Sequence, residues 1–316
     1  MRKLAFLIGI DQYAGDAAGN TTKGCVNDVH KTSQGLIKFF GFLPEDIRLL
    51  TNSRATKREI WSRLTDYVGL LEPGDTFVIQ VSSLGTRYSG RCTTGDVYPM
   101  QDVLVAHDFT WDDPVLDGPS IGGLLSSVVT GVTVVLILDT CHTPAPVDSA
   151  PKYKLAPGAT PPKAGFTAVP GFGILSRYLA PPVDIAHRQL AGCKKPRLSN
   201  LVSAPILVLA TDGKTGATED FIEGAFRGAF TWAFWKAIED LEGQPSYLDV
   251  FTRTQEVLHN LGYPQVPLIL AGTEATSPIL GGKNNPRHVH YFEETYLNPN
   301  IPQGGFFQGY GTEGNE

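Results

Sequence analysis

Leu138-Asp139-Thr140-Cys141-His142 stands at the end of the apolar run Val132-Thr133-Val134-Val135-Leu136-Ile137-Leu138. A cysteine delivered just past a buried strand, beside a carboxylate, has the layout of a nucleophile on a sheet edge. Such a thiol needs a base, because unassisted it is only a few per cent ionised at neutral pH. A second buried run, Phe77-Val78-Ile79-Gln80-Val81-Ser82, ends in Ser83-Leu84-Gly85-Thr86 and offers a leucine there, not a histidine. His142 directly follows Cys141, and neighbours in an extended segment point apart. His107, in the strand-end region after a polar loop, is the best-placed substitute by sequence position. His30, His187, His259, His288 and His290 carry no motif context.

The elements that position these residues follow from periodicity. Leu4 to Ile10 is a short continuous apolar run stopped by Asp11, as expected of a fully buried parallel strand. Asn27 and Asp28 can cap a helix running to about Phe40, with Gly41 ending it. Ile47 to Leu50 reads as a strand, and Thr56 opens a helix with Ile60, Leu64, Tyr67 and Val68 at helical spacing. Pro73-Gly74-Asp75 turns into the strand from Thr76 to Val81. After the polar, Gly-rich stretch 86–101, Asp102–Ala106 reads as a short strand and Ile121–Val128 as a helix leading to the Val132–Leu138 strand. Ile206–Ala210 is a further strand, Gly228–Leu241 and Tyr247–Leu261 are helices, and a short strand surrounds Val266–Leu270. Strands alternating with helices predict a mostly parallel sheet covered on both faces.

Bulk composition narrows the function classes. The 316 residues carry 42% hydrophobic and 18% charged side chains, an ordinary globular balance with room for a sizeable core. With 26 basic against 32 acidic residues the net charge is −6, which argues against non-specific nucleic-acid binding and leaves basic ligands open. Cys25, Cys92, Cys141 and Cys193 show neither CxxC nor zinc-type spacing, so the expectation is a reducing setting. The apolar stretch behind Met1-Arg2-Lys3 is short for a signal peptide, and no run approaches the roughly 18 residues of a membrane span. A cytoplasmic protein without membrane contact is expected, its oligomeric state left open. Residues 143–200 are rich in proline, glycine and alanine, including Pro161-Pro162 and Pro181-Pro182, and read as a long surface loop.

Taken in order, Leu7-Ile8-Gly9-Ile10, Gly24-Cys25-Val26-Asn27-Asp28, Gly41-Phe42, Leu49-Leu50-Thr51, Pro73-Gly74-Asp75, the strand ending at Ser82 and Asp139-Thr140-Cys141-His142 resemble the caspase–metacaspase group of cysteine peptidases. Ala210-Thr211-Asp212 through Ala217, then Gly228-Ala229-Phe230-Thr231, are similar to that family's smaller subunit region. The resemblance implies a caspase-like three-layer α/β/α sandwich around a mostly parallel six-stranded sheet. It also implies a division into a large-subunit-like region 1–142, a linker or insertion 143–200, a small-subunit-like region 201–297 and a Gly- and aromatic-rich tail 298–316. Cys141 matches the family nucleophile, while Leu84 occupies the place of the catalytic histidine: the family's Ser-Gly-His-Gly is written Ser82-Ser83-Leu84-Gly85. Losing one member of a nucleophile–base pair costs about four to six orders of magnitude in turnover.

The resemblance further implies a substrate pocket for a basic side chain, lined by Cys25, Asp28, Ser82 and Asp139, with Asp212 on its rim. Carboxylates facing one cavity hold arginine or lysine by charge-assisted hydrogen bonds. Many metacaspases use calcium. The weak candidates Asp96, Asp102 and Asp108 depart from the family's dense acidic pattern, and the expectation is no cofactor, with calcium left open. The leading expectation is a pseudo-protease that binds an Arg- or Lys-containing segment of a peptide or protein partner. The alternatives are an active Arg/Lys-specific cysteine endopeptidase with a relocated base, and a structural or assembly protein with a relic pocket.

Overall fold

The computed structural model describes residues 1–88, 101–112, 116–142, 175–186 and 205–283. In chain order the strands are β1 (Lys3–Gly9), β2 (Ile47–Thr51), β3 (Thr76–Ser82), β4 (Gly85–Tyr88), β5 (Gln101–Leu104), β6 (Thr133–Asp139), β7 (Leu175–Ser176), β8 (Ile206–Leu209), β9 (Thr218–Ile222), β10 (Ala225–Gly228) and β11 (Leu268–Leu270). The helices are α1 (Cys25–Phe40), α2 (Lys57–Leu70), α3 (Gly118–Leu125), α4 (Val183–Ala186), α5 (Ala229–Asp240) and α6 (Tyr247–Asn260). Residues 1–283 form one compact unit; the tail beyond lies outside the described residues.

The main sheet has the order β11-β8-β6-β3-β1-β2, parallel throughout except for β11 against β8. Its central strands are apolar on both faces, as helices on both sides require. On one face Ile60, Leu64 and Val68 of α2 and Ile121 and Leu125 of α3 join Phe6, Ile8, Phe77 and Ile79 in one cluster. On the other, Val29, Leu36 and Phe40 of α1, Phe230, Phe234 and Trp235 of α5 and Val250 of α6 pack on Ala5, Leu7, Val78 and Val135. This is the expected three-layer sandwich. Gly35 lies flat against the Trp235 ring, and a Cβ at that position would run into it.

Helix ends follow local chemistry. Thr56 caps α2 by accepting from Glu59 N, and Ser246 and Asp249 cap α6 reciprocally. Gly41 closes α1 at φ 68°. The start of α1 differs from the expected one: it begins at Cys25, so Asp28 sits inside the first turn and is buried instead of capping. Two small sheets, β10-β9-β7 and β4-β5, adjoin the main one. The stretch 143–200, read from composition as surface loop, supplies β7 and a nearby fully buried arginine. Its segments 143–174 and 187–200 lie outside the described residues.

Register decides what meets. Gly9 pairs with Ser82, and Ser82 with Asp139, so three parallel strands end in one row. Ile10–Asp11, Ser83–Gly85 and Thr140–His142 therefore emerge side by side at the carboxyl edge, where parallel α/β sheets place their sites.

Candidate functional site

Cys141 follows β6 by two residues and is fully buried within the apolar cluster that contains Val135, Ile137 and Phe230. Gly85 lies directly against it: a Cβ there would strike the Cys141 carbonyl oxygen and come within 3.0 Å of His142 Nε2. The close approach requires glycine at 85. The Leu84 side chain is buried in the opposite apolar cluster, with Ile10, Tyr13 and Val103. Its backbone is fixed as well. Leu84 N–H donates to Tyr13 Oη over 2.7 Å, Tyr13 donates onward to Ile10 O over 2.7 Å, and Leu84 O accepts from Val105 N.

The histidines sit as follows. His107 Nδ1 lies 2.8 Å from Gln12 O, and its backbone N–H donates to Ala55 O, which holds it against the segments after β1 and before α2. His142 is hydrogen-bonded to the Val103 backbone, its Nε2 is buried without a partner, and burial lowers its pKa.

Beside Cys141 lies a buried ionic seat. Asp28 arrives on the first turn of α1, Asp139 at the end of β6 and Glu219 on β9; each is at most 1% exposed. Between them stands Arg177, 0% exposed, just beyond β7. Its Nη2 lies 2.7 Å from Asp28 Oδ2 and 3.5 Å from Glu219 Oε2, and its Nη1 lies 3.0 Å from Asp139 Oδ1. The Asp139 carbonyl also accepts from Nη1. The remaining carboxylate oxygens are satisfied: Gly228 N donates to Asp28, Thr231 N and Oγ1 donate to Asp139, and Lys23 N and Gly24 N donate to Glu219.

Three carboxylates around one guanidinium leave an excess of negative charge in a dry place. Burial pushes the Asp28 carboxyl up to about 7, with Arg177 opposing and Asp139 assisting. Glu219 is raised for the same reason. Burial likewise pushes the Cys25 thiol well up, against the pull of Arg177.

The backbone around Arg177 is held on both edges. Leu175 and Ser176 pair antiparallel with Glu219 and Thr218, and Arg177 N donates to Ala217 O. On the other edge Gly85 N donates to Arg177 O over 2.8 Å, Leu179 N donates to Gly85 O over 2.8 Å, and Thr86 Oγ1 donates to Leu179 O. Tyr178 packs against the cluster containing Cys141, and its hydroxyl pKa is raised by burial and by that thiol. The segment thus runs between β9 and the Gly85–Thr86 stretch, its arginine in the acidic seat and the arginine carbonyl on a backbone N–H.

Of the residues the sequence singled out, Cys25, Asp28, Ser82 and Asp139 are brought to this edge. Cys25 Sγ donates to Thr22 Oγ1, and Ser82 Oγ accepts from Gln80 Nε2. Asp212 is not brought into the seat: Asp212 Oδ1 closes its own turn by accepting from Lys214 N, Thr215 N and Thr215 Oγ1. Arg177 and Glu219 went unrecognised. The only sequence signal for Arg177 was the apolar stretch Gly173-Ile174-Leu175-Ser176-Arg177-Tyr178-Leu179 inside a Pro-rich segment. Apart from an Asp139 oxygen facing Arg177, the buried side-chain polar atoms without a hydrogen-bond partner among the described residues are Gln80 Oε1, Thr140 Oγ1, His142 Nε2 and Arg177 Nε. They fall on the strands and turns that build this edge, where function is the usual reason for such a cost.

Residues 2–276 match the family model for the caspase domain of C14 peptidases. The chain belongs to the caspase-domain family. It is 30% identical to metacaspase-7 of Arabidopsis thaliana over 155 residues, which cover 48% of this chain and 37% of that protein. Against metacaspase-1B of Neosartorya fischeri it is 26% identical over 286 residues, covering 84% of this chain and 68% of that one. The chain thus spans only about a third of the plant relatives it matches. In structure it resembles a protein of Geobacter sulfurreducens (TM-score 0.61, 16% identity, 90% of this chain and all of that one). Caspase-1 of Spodoptera frugiperda is similar too (TM-score 0.52, 12% identity, 90% and 91% covered). At such identities these structures speak to the fold alone.

Among the described residues the calcium candidates are engaged by protein groups. Asp102 is tied to Arg87 Nε at 2.7 Å, and Asp108 accepts from Lys57 N at the start of α2; Asp96 lies outside the described residues. Hard cations want six or more oxygens, and these carboxylates are already engaged elsewhere. Asp11, Cys25 and Glu219 do cluster, but the Asp11 and Glu219 carboxylates accept from the backbone N–H groups of Lys23 to Val26 and from the Thr22 hydroxyl. Among the described residues no helix is long and apolar enough to cross a membrane.

Proposed function

We propose that this caspase-domain chain is a pseudo-peptidase: a protein that recognises an arginine in an extended strand and does not turn it over. One observation carries the reading. The chain's own Arg177 sits among the buried carboxylates with its carbonyl on Gly85 N–H, while the residue before Gly85, where the family's base would stand, is a leucine packed in the opposite apolar cluster. Carboxylates that hold a basic side chain are present, and the position the family gives to the base carries a leucine, which accepts no proton. The partner is then an Arg- or Lys-bearing segment that competes with Arg177 for the seat.

The test is incubation of the full chain with fluorogenic Arg and Lys peptides, with and without calcium, alongside Cys141→Ala. Intact-mass measurement of the chain itself runs in parallel. Background rates and an unbroken chain are expected. Turnover lost in Cys141→Ala, or a fragment ending at Arg177, overturns the reading in favour of an active endopeptidase.

A further inference from the structure

We infer that the groove occupied by Leu175–Leu179 reads an incoming partner segment at two points, an arginine and a leucine-sized apolar residue two positions after it. This rests on the preceding reading that the seat binds arginine, and adds a second pocket, the one Leu179 fills. Five consecutive residues show the pattern. Ser176 is exposed and Leu175 and Tyr178 are half-buried, whereas Arg177 is 0% and Leu179 5% exposed. Leu179 enters the apolar cluster that holds Leu84, Val103, Leu104 and Ile185. The other bonds that hold the segment run through backbone atoms: Arg177 N to Ala217, Gly85 N to Arg177, Leu179 N to Gly85, and Thr86 Oγ1 to Leu179 O.

Backbone bonds of this kind are blind to sequence, so specificity falls on the side chains that enter pockets. Any extended segment reading Arg-x-Leu can remake every one of these contacts. A polar residue in the second position leaves the apolar pocket unfilled. The leucine that replaces the histidine contributes to the wall of that pocket's cluster, so the change that removes a base also adds apolar surface for the partner's second anchor. The occupant the groove fits is therefore a segment of another protein carrying Arg-x-Leu, displacing the chain's own copy.

The probe is a labelled peptide with the sequence of residues 173–180, followed by fluorescence anisotropy. Two full-length variants each weaken the resident strand at one anchor: Leu179→Ser, which leaves the buried ion cluster intact and so guards against misfolding, and Arg177→Gln. Both are expected to take up the peptide at least tenfold more tightly than the unaltered chain. Replacing the peptide's leucine by serine should weaken binding about tenfold or more, and replacing its arginine by citrulline about a hundredfold. Equal binding of the serine peptide overturns the second anchor while leaving the arginine seat standing. Equal binding of the citrulline peptide overturns the seat itself, and with it the proposed function. No uptake by folded Leu179→Ser overturns exchange. An unaltered chain that elutes as a dimer and becomes monomeric on Arg177→Gln overturns the assignment to another protein in favour of a second copy.

Discussion

Replacing Arg177 by methionine removes the guanidinium that stands between three buried carboxylates while keeping most of the side-chain volume. At an effective dielectric of about 20, each contact at 2.7, 3.0 and 3.5 Å corresponds to roughly 5 kcal/mol of gross attraction. Most of that is offset by the hydration the guanidinium gives up on burial, and breaking such a cluster typically costs a net 3–5 kcal/mol or so. The loss depends on pH. With the arginine gone, Asp28 and Glu219, already raised by burial, are pushed further up and hold protons in the folded state that they release on unfolding. A carboxyl raised in the folded state lowers stability as pH climbs above its unfolded value near 4, by about 1.4 kcal/mol per pH unit per proton. Urea unfolding of the unaltered chain and Arg177→Met, followed by tryptophan fluorescence, should therefore show a loss of about 3–5 kcal/mol at pH 8. The loss should be smaller by about 2 kcal/mol or more at pH 5. A difference below about 1 kcal/mol at pH 8, or an equal loss at both pH values, refutes the idea that the arginine holds the seat by charge.

Further outcomes follow from the same geometry. In the unaltered chain Asp28 alone, shifted from an unfolded value near 4 to about 7, should lower stability by on the order of 4 kcal/mol as pH rises across that window and by nothing more above it; a flat urea midpoint between pH 4.5 and 7 contradicts this. Gly228 has an ordinary φ of −63°, yet a Cβ there would collide with Asp139, Arg177 and Asp28. Gly228→Ala should thus cost about 1–3 kcal/mol by overpacking, and a neutral variant in thermal melts would show the seat to be looser than described. Leu84→His should yield no Cys141-dependent hydrolysis of arginine peptides, because position 84 packs in the cluster opposite Cys141 and Arg177 already occupies the seat. Appearance of such activity would place the lost base, not the packing, as the sole defect. Gly85→Ala should destabilise by about 1–3 kcal/mol through its collision with Cys141 and weaken the hold on Arg177 O; its readout is easier proteolysis after Arg177.

The sheet was legible because its evidence is local. Apolar runs at Leu4–Ile10, Phe77–Ser82 and Val132–Leu138 are strands wherever the chain takes them, and Thr56, Gly41 and Pro73-Gly74 mark ends by their own chemistry. Asp28, Ser82 and Asp139 could be grouped because the family resemblance implied a shared pocket; the register that sets Ser82 beside Asp139 is seen only in the fold. Asp28 was legible as a residue but not in its state, since a carboxylate near a helix start reads as a cap until the burial of its surroundings is known. Arg177 and Glu219 were hidden for the opposite reason: their meaning lies in contacts spanning 149 and 195 residues of sequence. Composition worked against Arg177, because proline and glycine around it advertise a loop, and an arginine in a loop is ordinarily a solvated one. Small strands such as β4 and β9 also escaped: each is only four or five residues long without a clear period of its own, and pairing with the next strand in the chain fixes it.

Arg177 and its carboxylates belong to one polypeptide, which changes the terms on which any competitor arrives. A ligand carried by its own receptor is present at an effective concentration on the order of millimolar, however dilute the protein is. Occupancy of the groove is then insensitive to expression level. A free peptide of micromolar intrinsic affinity meets a standing rival about a thousandfold above its own dissociation constant. A partner succeeds by bringing a local concentration of its own, through a second contact or by being one of many copies on a scaffold. On the proposed function, the groove responds to assembly and not to abundance.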